Sequence, residues 1–433
     1  MSKFKPNISN IHFENETLHF DLSGSETYGL DKSIINGIRR ILLSELPVIG
    51  FHIDENVDVK DITIIENNSS LHNEMIMQRI GLVPLYINPE KYMNNYLFEL
   101  KLEYNNKEPF QLITAGDFNV YPLLPNIQKK IDDLDESSDM GEIDRVIKTK
   151  SPDNYDLKNP IKGKKFKDIF RPFVFQRNNS ENYCIITELK NTNTSDKKQS
   201  IHLYGVPSSH NSKINARYQS VSCATYTFAK DEKLIDSIFK DRIKMNNISK
   251  ADEESEHKKF ILSESERYYY RDYENEPYKY NFSIKSCSYF NEFDLFLKSI
   301  LYLMDKINSL KLSFLNLLKD QETSIGVVKK NDYIYHYTLN NQNHTMGNII
   351  QSHIVRRCIN SESILQLCGY KVKHPLEESI LLCLTLNPKN KICNETEQNK
   401  YHEINNFLIE ELEVIRQELK TLHKVSEESF LAH

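Results

Sequence analysis

The chain has 433 residues, 39% hydrophobic and 27% charged, which is ordinary for a globular protein and enough for two or three domains with real cores. A formal net charge of −6 and a pI of about 6.2 argue against a chain that holds DNA by itself, which would carry a basic face or a high pI. No run of about eighteen apolar residues occurs, so no membrane-spanning helix is expected, and the opening Met-Ser-Lys-Phe-Lys-Pro-Asn lacks the apolar core of a secretory signal.

The first predicted helix is Asn36-Gly37-Ile38-Arg39-Arg40-Ile41-Leu42-Leu43-Ser44-Glu45-Leu46 with the residues just before it. Ile34, Ile35, Ile38, Ile41, Leu42 and Leu46 recur at helical spacing, and Pro47 ends the run. At roughly 100° per residue, Arg39 and Arg40 cannot both share the centre of the apolar face. They read either as an ordinary surface pair or as a fixed cationic edge beside a buried stripe. Alternation from Asn56 to Ile65 predicts a strand. A second helix follows, with His72, Met75, Ile76, Arg79 and Ile80 on one face, Ser70 as the expected cap, and Gly81 with Pro84 as the stop.

Residues 128–167 are acidic, then lysine-rich, and poor in large apolar side chains, which predicts a mobile loop. Ser222 to Phe228 reads as a strand and 246–258 as a charged, solvated connection. The tyrosines at 268, 269, 270, 273, 278 and 280 could stack on bases, but their acidic neighbours Glu266, Asp272, Glu274 and Glu276 favour a packed loop.

Phe293, Phe296, Ile300, Leu303, Ile307, Leu310, Phe314 and Leu317 form a heptad stripe. Ile404, Leu408, Leu412, Ile415, Leu419 and Leu422 form another. Two such stripes either face each other or each pack on a sheet. Between them, 320–332 is short and polar, as a linker would be. Tyr333 to Leu339 alternates like a strand. Met346, Ile349, Ile350, His353 and Ile354 then make a helical stripe with Thr345 as candidate cap, and Ile380 to Leu386 is strand-like.

These stretches resemble the alpha-like subunits of cellular RNA polymerases. Asn-Gly-Ile-Arg-Arg-Ile-Leu-Leu at 36–43 and Arg-Ile-Gly-Leu-Val-Pro-Leu at 79–85 are similar to the large alpha-like subunit, which comprises the bacterial alpha N-terminal domain, the archaeal D subunit and the third subunit of RNA polymerase II. Asn343-His344-Thr345-Met346-Gly347-Asn348 and Gly369-Tyr370-Lys371-Val372-Lys373-His374-Pro375-Leu376-Glu377 are similar to the small one, the archaeal L or eleventh subunit. Met346 stands where that family usually has Leu, a volume-conserving exchange. Ser209 to Tyr218 is a looser likeness to the return of the large subunit into its dimerisation domain.

The resemblance implies an α+β protein in which two fused alpha-like halves form an intramolecular pseudo-dimer. The first half would comprise a discontinuous dimerisation domain at 1–50 and 206–320 and a β-rich insert at 51–205, closing near Ile201 to Val206. A linker at 321–332 and the L-like half at 333–433 would follow. It also implies an assembly platform without catalytic residues, with Asn36, Arg39, Arg40 and Arg79 contacting the large subunits. Ile38, Ile41, Leu42, Leu303, Ile307, Leu310, Met346, Ile349, Ile350, Leu408, Leu412 and Ile415 would serve dimerisation. The implied partners are the two largest polymerase subunits and small ones like the tenth and twelfth, at one copy per polymerase. DNA would be met only through the complex. Fusion of subunits that cells encode separately, with an Asn-, Ile- and Lys-rich composition, points to a nucleocytoplasmic large DNA virus. The implied location is then the host cytoplasm and the virion, or the nucleus for a nuclear enzyme.

No catalytic signature is present in the sequence: no Asp-x-Asp-x-Asp, phosphate loop, His-Glu-x-x-His or Gly-x-Ser-x-Gly. His72 and His374 read as structural hydrogen-bonding residues. The seven cysteines are scattered, without Cys-x-x-Cys, and none falls between Tyr86 and Thr114, where some third subunits bind zinc. Neither a metal nor a cofactor is expected. Two rival readings remain at this level: a hydrolase built on the histidines and carboxylates of the insert, and a structural virion protein that kept the fold.

Overall fold

The structure is a computed structural model that describes residues 4–26, 29–53, 61–105, 108–132, 150–175, 179–191, 198–246, 249, 252–319, 321–359 and 362–433. In chain order come β1 (Asn7–Glu14), β2 (Thr17–Ser23), α1 (Lys32–Ser44), β3 (Val48–Gly50), β4 (Ile62–Asn67), α2 (Asn73–Gly81), β5 (Tyr96–Glu103), β6 (Phe110–Thr114), β7 (Asn119–Pro122) and α3 (Pro125–Asp132). Then follow α4 (Lys164–Phe170), β8 (Phe173–Val174), β9 (Glu181–Asn182), β10 (Ile185–Lys190), β11 (Ser200–Gly205), β12 (Ser208–His210), β13 (Val221–Phe228), α5 (Glu232–Asn246) and α6 (Glu253–Glu264). The chain continues with β14 (Lys279–Ser286), α7 (Glu292–Leu318), β15 (Ile325–Lys329), β16 (Ile334–Asn340), α8 (His344–Arg357), β17 (Leu365–Val372), β18 (Ser379–Leu386) and α9 (Glu397–Leu431). Helices and antiparallel sheets are mixed, as an α+β fold requires.

The chain divides into two compact units. One comprises Met1–Leu43, Val221–Ser286 and Asn291–His433; the other comprises Ser44–Ser220 and Cys287–Phe290. The first unit holds two four-stranded antiparallel sheets, β1-β2-β14-β13 and β15-β16-β18-β17. Strand alternation gives each sheet one apolar face: Leu18, Phe20 and Leu22 on β2 are buried, as are Tyr335, Tyr337 and Leu339 on β16. The long helices α7 and α9 pack along each other. Phe293 and Phe296, near the start of α7, meet Phe430, near the end of α9, while Lys311 pairs with Glu413 at 2.8 Å, so the two helices run antiparallel. Asn291 caps α7, its side chain accepting from the Asp294 amide, and Glu292 and Asp294 complement the helix dipole.

Each long helix bridges both sheets of its unit. Phe296 packs edge-on against Phe20 and Phe282 of the first sheet, whereas Phe314, further along α7, packs on Tyr337 of the second. Conversely, α9 begins beside the second sheet, where the Tyr335 hydroxyl donates to Glu397, and ends with Phe430 against Phe20.

The second unit is β-rich. Its largest sheet has the order β4-β11-β5-β7, and β10 pairs with β6 and β12 with β3. Phe51, Phe98, Phe118 and Phe170 interlock by edge and stacked contacts in its core, and Ile76 and Ile80 anchor α2 there. Strands β3 and β12 pair within this unit, so the boundary falls at 43/44 and 220/221, not at 50/51 and 205/206 as expected.

Other expectations need correction. The expected alternation at 56–65 falls partly on 54–60, outside the described residues, and the strand covers Ile62–Asn67. Of the predicted loop 128–167, residues 133–149 lie outside the described residues. The part from 150 to 167 is packed, because Tyr155 is buried and Ile161 lies against the core. Residues 253–258 belong to α6, whose Phe260 meets Phe239 of α5. The middle of the polar stretch 321–332 is not a free linker: β15 pairs with β16 from Ile325↔Leu339 to Lys329↔Tyr335. Two caps also shift. His72, without a side-chain cap bond, replaces Ser70, and Asn343, accepting from the Thr345 amide at 3.0 Å, replaces Thr345. His72 and Met75 are exposed, so the buried stripe of α2 reduces to Ile76 and Ile80. Only His374 of the two motif histidines makes a side-chain bond of the expected kind, accepting from the Leu376 amide.

Candidate functional site

The two motif helices α1 and α8 meet in the first unit. Their contact is at Gly37, where a Cβ would stand 3.0 Å from Ile349 Cδ1, 3.4 Å from Thr345 Cγ2 and 3.7 Å from Leu303 Cδ2. Glycine therefore lets α1 approach α8 and α7 at side-chain distance. Around this point Ile38, Ile41 and Leu42 of α1 and Met346, Ile349 and Ile350 of α8 are buried, as are Leu303, Ile307 and Leu310 of α7. Leu408, Leu412 and Ile415 of α9 are buried as well. A second glycine sets a second close approach: at Gly347 a Cβ would lie 2.5 Å from Cδ2 of Tyr370, so the α8 backbone rests on that ring.

The two arginines of α1 leave this apolar contact on separate sides. Arg39 Nε donates to Asn36 Oδ1 at 3.0 Å, one turn back on the helix. Burial raises the Tyr226 hydroxyl pKa on β13, and the Arg39 guanidinium opposes that rise. Burial likewise raises Tyr370 on β17, and there Arg40 opposes it. The side chains of Asn36, Arg39 and Arg40 are half-buried, a cationic edge held between aromatic hydroxyls. Arg79 belongs to the second unit, where its Nη1 donates to the Ile186 carbonyl at 3.1 Å, tying α2 to β10.

Sequence reasoning missed the polar rim of the helix contact. Asp31, buried at the start of α1, accepts from the Ser33 amide and from Ser352 Oγ of α8, both at 2.7 Å. Arg356, at the end of α8, reaches Asp272 at 2.6 Å and Glu274 at 3.0 Å, with Asp31 at 3.8 Å. Burial would lower its pKa, but these three carboxylates hold it above its usual value. Arg357 pairs with Glu418 of α9 and donates to the Gly29 carbonyl at 3.2 Å. Here burial dominates, lowering Arg357 and raising Glu418. The sole sequence signal was a basic pair in the last turn of a helix, where the dipole favours it. The tyrosine cluster is largely internal packing: the Tyr280 hydroxyl donates to the Leu30 and Pro277 carbonyls, and Tyr268 and Tyr269 lie on Phe260 and Phe228.

Among the described residues, His353 of α8 and Cys358, which caps the end of that helix, converge with Glu411 of α9, three donor types in one place.

No protein-family profile matches the chain. Among curated proteins it is similar to the DNA-directed RNA polymerases I and III subunit rpac1 of Dictyostelium discoideum, 29% identical over 104 residues, 24% of each chain. It is similar to the RPAC1 subunit of the same two polymerases in Homo sapiens, 29% identical over 82 residues, 19% of this chain and 20% of that one. The archaeal DNA-directed RNA polymerase subunit Rpo3 of Pyrobaculum calidifontis is 35% identical over 57 residues, 13% of this chain and 19% of that one. The chain thus spans about a quarter or less of the length of the curated relatives it matches. These homologues are alpha-like subunits of RNA polymerase, related to this chain at modest identity over part of its length.

Proposed function

We propose that this chain is a non-catalytic assembly subunit of a multisubunit DNA-directed RNA polymerase, supplying both alpha-like halves from one polypeptide. The observation that carries the reading is the close approach of α1 to α8 at Gly37, since α1 bears the large-subunit motif and α8 the small-subunit motif. The antiparallel pairing of α7 with α9, each reaching both sheets, supports it further. So does the similarity to subunits of DNA-directed RNA polymerases.

In this reading the halves form an intramolecular pseudo-dimer, because fusion raises the effective concentration of the second half to the millimolar range typical of short linkers. The platform nucleates assembly of the two largest subunits, which the Asn36–Arg39–Arg40 edge and Arg79 contact, and takes small partners like the tenth and twelfth subunits. One copy enters each polymerase. The fused arrangement fits a nucleocytoplasmic large DNA virus, with the enzyme working in the host cytoplasm, the virion or, for a nuclear enzyme, the nucleus.

Co-expression with the two largest subunits of the polymerase from the same source tests this. Joint purification of one copy with both large subunits is expected. A chain that purifies free of them, or that hydrolyses substrates alone, would overturn it.

A further inference from the structure

We propose that His353, Cys358 and Glu411 form a binding site for one divalent cation of the zinc class, clamping the end of α8 to α9. The three side chains offer a nitrogen, a sulfur and an oxygen whose donor atoms all lie within 4.8 Å of one another. A cation at about 2.0–2.3 Å from each donor would draw them to roughly 3–4 Å apart, a small contraction. His353 Nε2 already stands 2.9 Å from Glu411 Oε2. His353 is 4% exposed and the other two are half-buried, so this is not a loose surface grouping. A thiolate and an imidazole select a borderline-soft ion over calcium or magnesium, which take oxygen ligands.

The surroundings favour a cation. Cys358 is the C-terminal capping residue of α8, where the helix dipole presents its negative end. Thiolate, carboxylate and a doubly charged ion sum to zero. The neighbouring Arg357 is paired with Glu418 and donates to the Gly29 carbonyl. Cys368 lies near enough for its thiol to act on Cys358.

Proton bookkeeping fits as well. Burial and then Glu411 push the Cys358 thiol above its ordinary value. Burial would raise Glu411, but hydrogen bonds from His353 and Cys358 hold it below its ordinary value. On binding, the Cys358 S–H bond breaks, its proton leaves to solvent and the thiolate ligates the ion. For His353 to ligate, the ring nitrogen that faces Glu411 carries no proton, so their hydrogen bond is given up and the ring proton sits on the other nitrogen, while a Glu411 oxygen turns to the ion. Three protein donors leave the fourth tetrahedral position to water.

The test uses the full chain, reduced and stripped by chelator, titrated with cobalt(II) and then displaced by zinc(II). One equivalent of cobalt is expected, with a thiolate-to-cobalt charge-transfer band that zinc abolishes. The band should vanish in Cys358→Ser and persist in Cys368→Ser, and Glu411→Gln should weaken binding by about tenfold or more. A titration without a thiolate band, or a band that survives Cys358→Ser, overturns the site. Should Cys358→Ser fail to fold, the thermal midpoint of the unaltered chain decides: a rise with one equivalent of zinc supports the site, and no rise overturns it. The readout is on the chain alone and does not depend on polymerase assembly.

Discussion

Gly37 of α1 faces Ile349 of α8: a methyl at 37 would stand 3.0 Å from Ile349 Cδ1, the far end of a flexible side chain. Gly347, by contrast, faces the Tyr370 ring at 2.5 Å, which cannot yield by rotating one methyl. Gly37→Ala should therefore change stability by less than about 1 kcal/mol, since the helix-propensity gain of alanine offsets the crowding. Gly347→Ala and Gly37→Leu should each cost about 1–3 kcal/mol by overpacking. Urea unfolding of the three variants checks the order, and a Gly347→Ala variant as stable as Gly37→Ala would contradict it.

Leu303 and Leu412 are both buried in the helix layer of the first unit. An aspartate at either position would place an unpaired charge there and should cost several kcal/mol, in the range of about 3–5. Circular dichroism on heating would show it. If the pairing is intramolecular, sedimentation of the unaltered chain gives a monomer; a stable homodimer would count against the pseudo-dimer.

Arg39 and Arg40 are half-buried on α1, beside an apolar face that their loss leaves intact. Replacing both by alanine should leave the isolated chain folded while weakening capture of a large subunit, by about 2–5 kcal/mol where a buried charge pair is broken. Pull-down with each large subunit separately reads this. Equal recovery by variant and parent would remove the arginines from the interface.

Arg357 and Glu418 are a buried pair whose members are both pushed toward neutrality by burial. Arg357→Met alone strands the carboxylate and should cost about 3–5 kcal/mol, whereas Arg357→Met with Glu418→Leu should recover most of that loss. A double variant no more stable than the single one would show that the pair holds the helices by more than charge.

The elements legible in sequence are those with unbroken apolar periodicity. The stripes of α1, α7, α8 and α9 coincide with buried faces because each of these helices is covered on one side by a sheet or another helix. Helix α6 was missed because it buries Phe260 but exposes Leu262, leaving a charged segment with almost no stripe. Strand β15 was missed because an edge strand needs only Ile325 inward, and Val328 is exposed. The cap of α8 slipped because Thr and Asn are nearly interchangeable there, and that of α2 because its capping residue, His72, makes no side-chain cap bond for the sequence to signal. The Asp31–Ser352–Arg356 rim had only the basic pair at the end of α8 as a local signature, and the His353–Cys358–Glu411 grouping had none. Their remaining partners, Asp31 and Glu411, come from segments tens to hundreds of residues away, and spacing along the chain does not bring these together.

The Phe20–Phe430 contact bears on synthesis as well as on stability. Strands β1 and β2 of the first sheet are translated early and β13 and β14 in mid-chain, yet Phe430, which joins their aromatic cluster, is translated near the end of α9. Until then Phe20 can meet only Phe282 and Phe296 of that cluster, and its closure must wait for a contact of very high sequence separation. Closure of this aromatic core thus waits for α9, and a chain cut within α9 would lack the Phe430 ring that packs on Phe20.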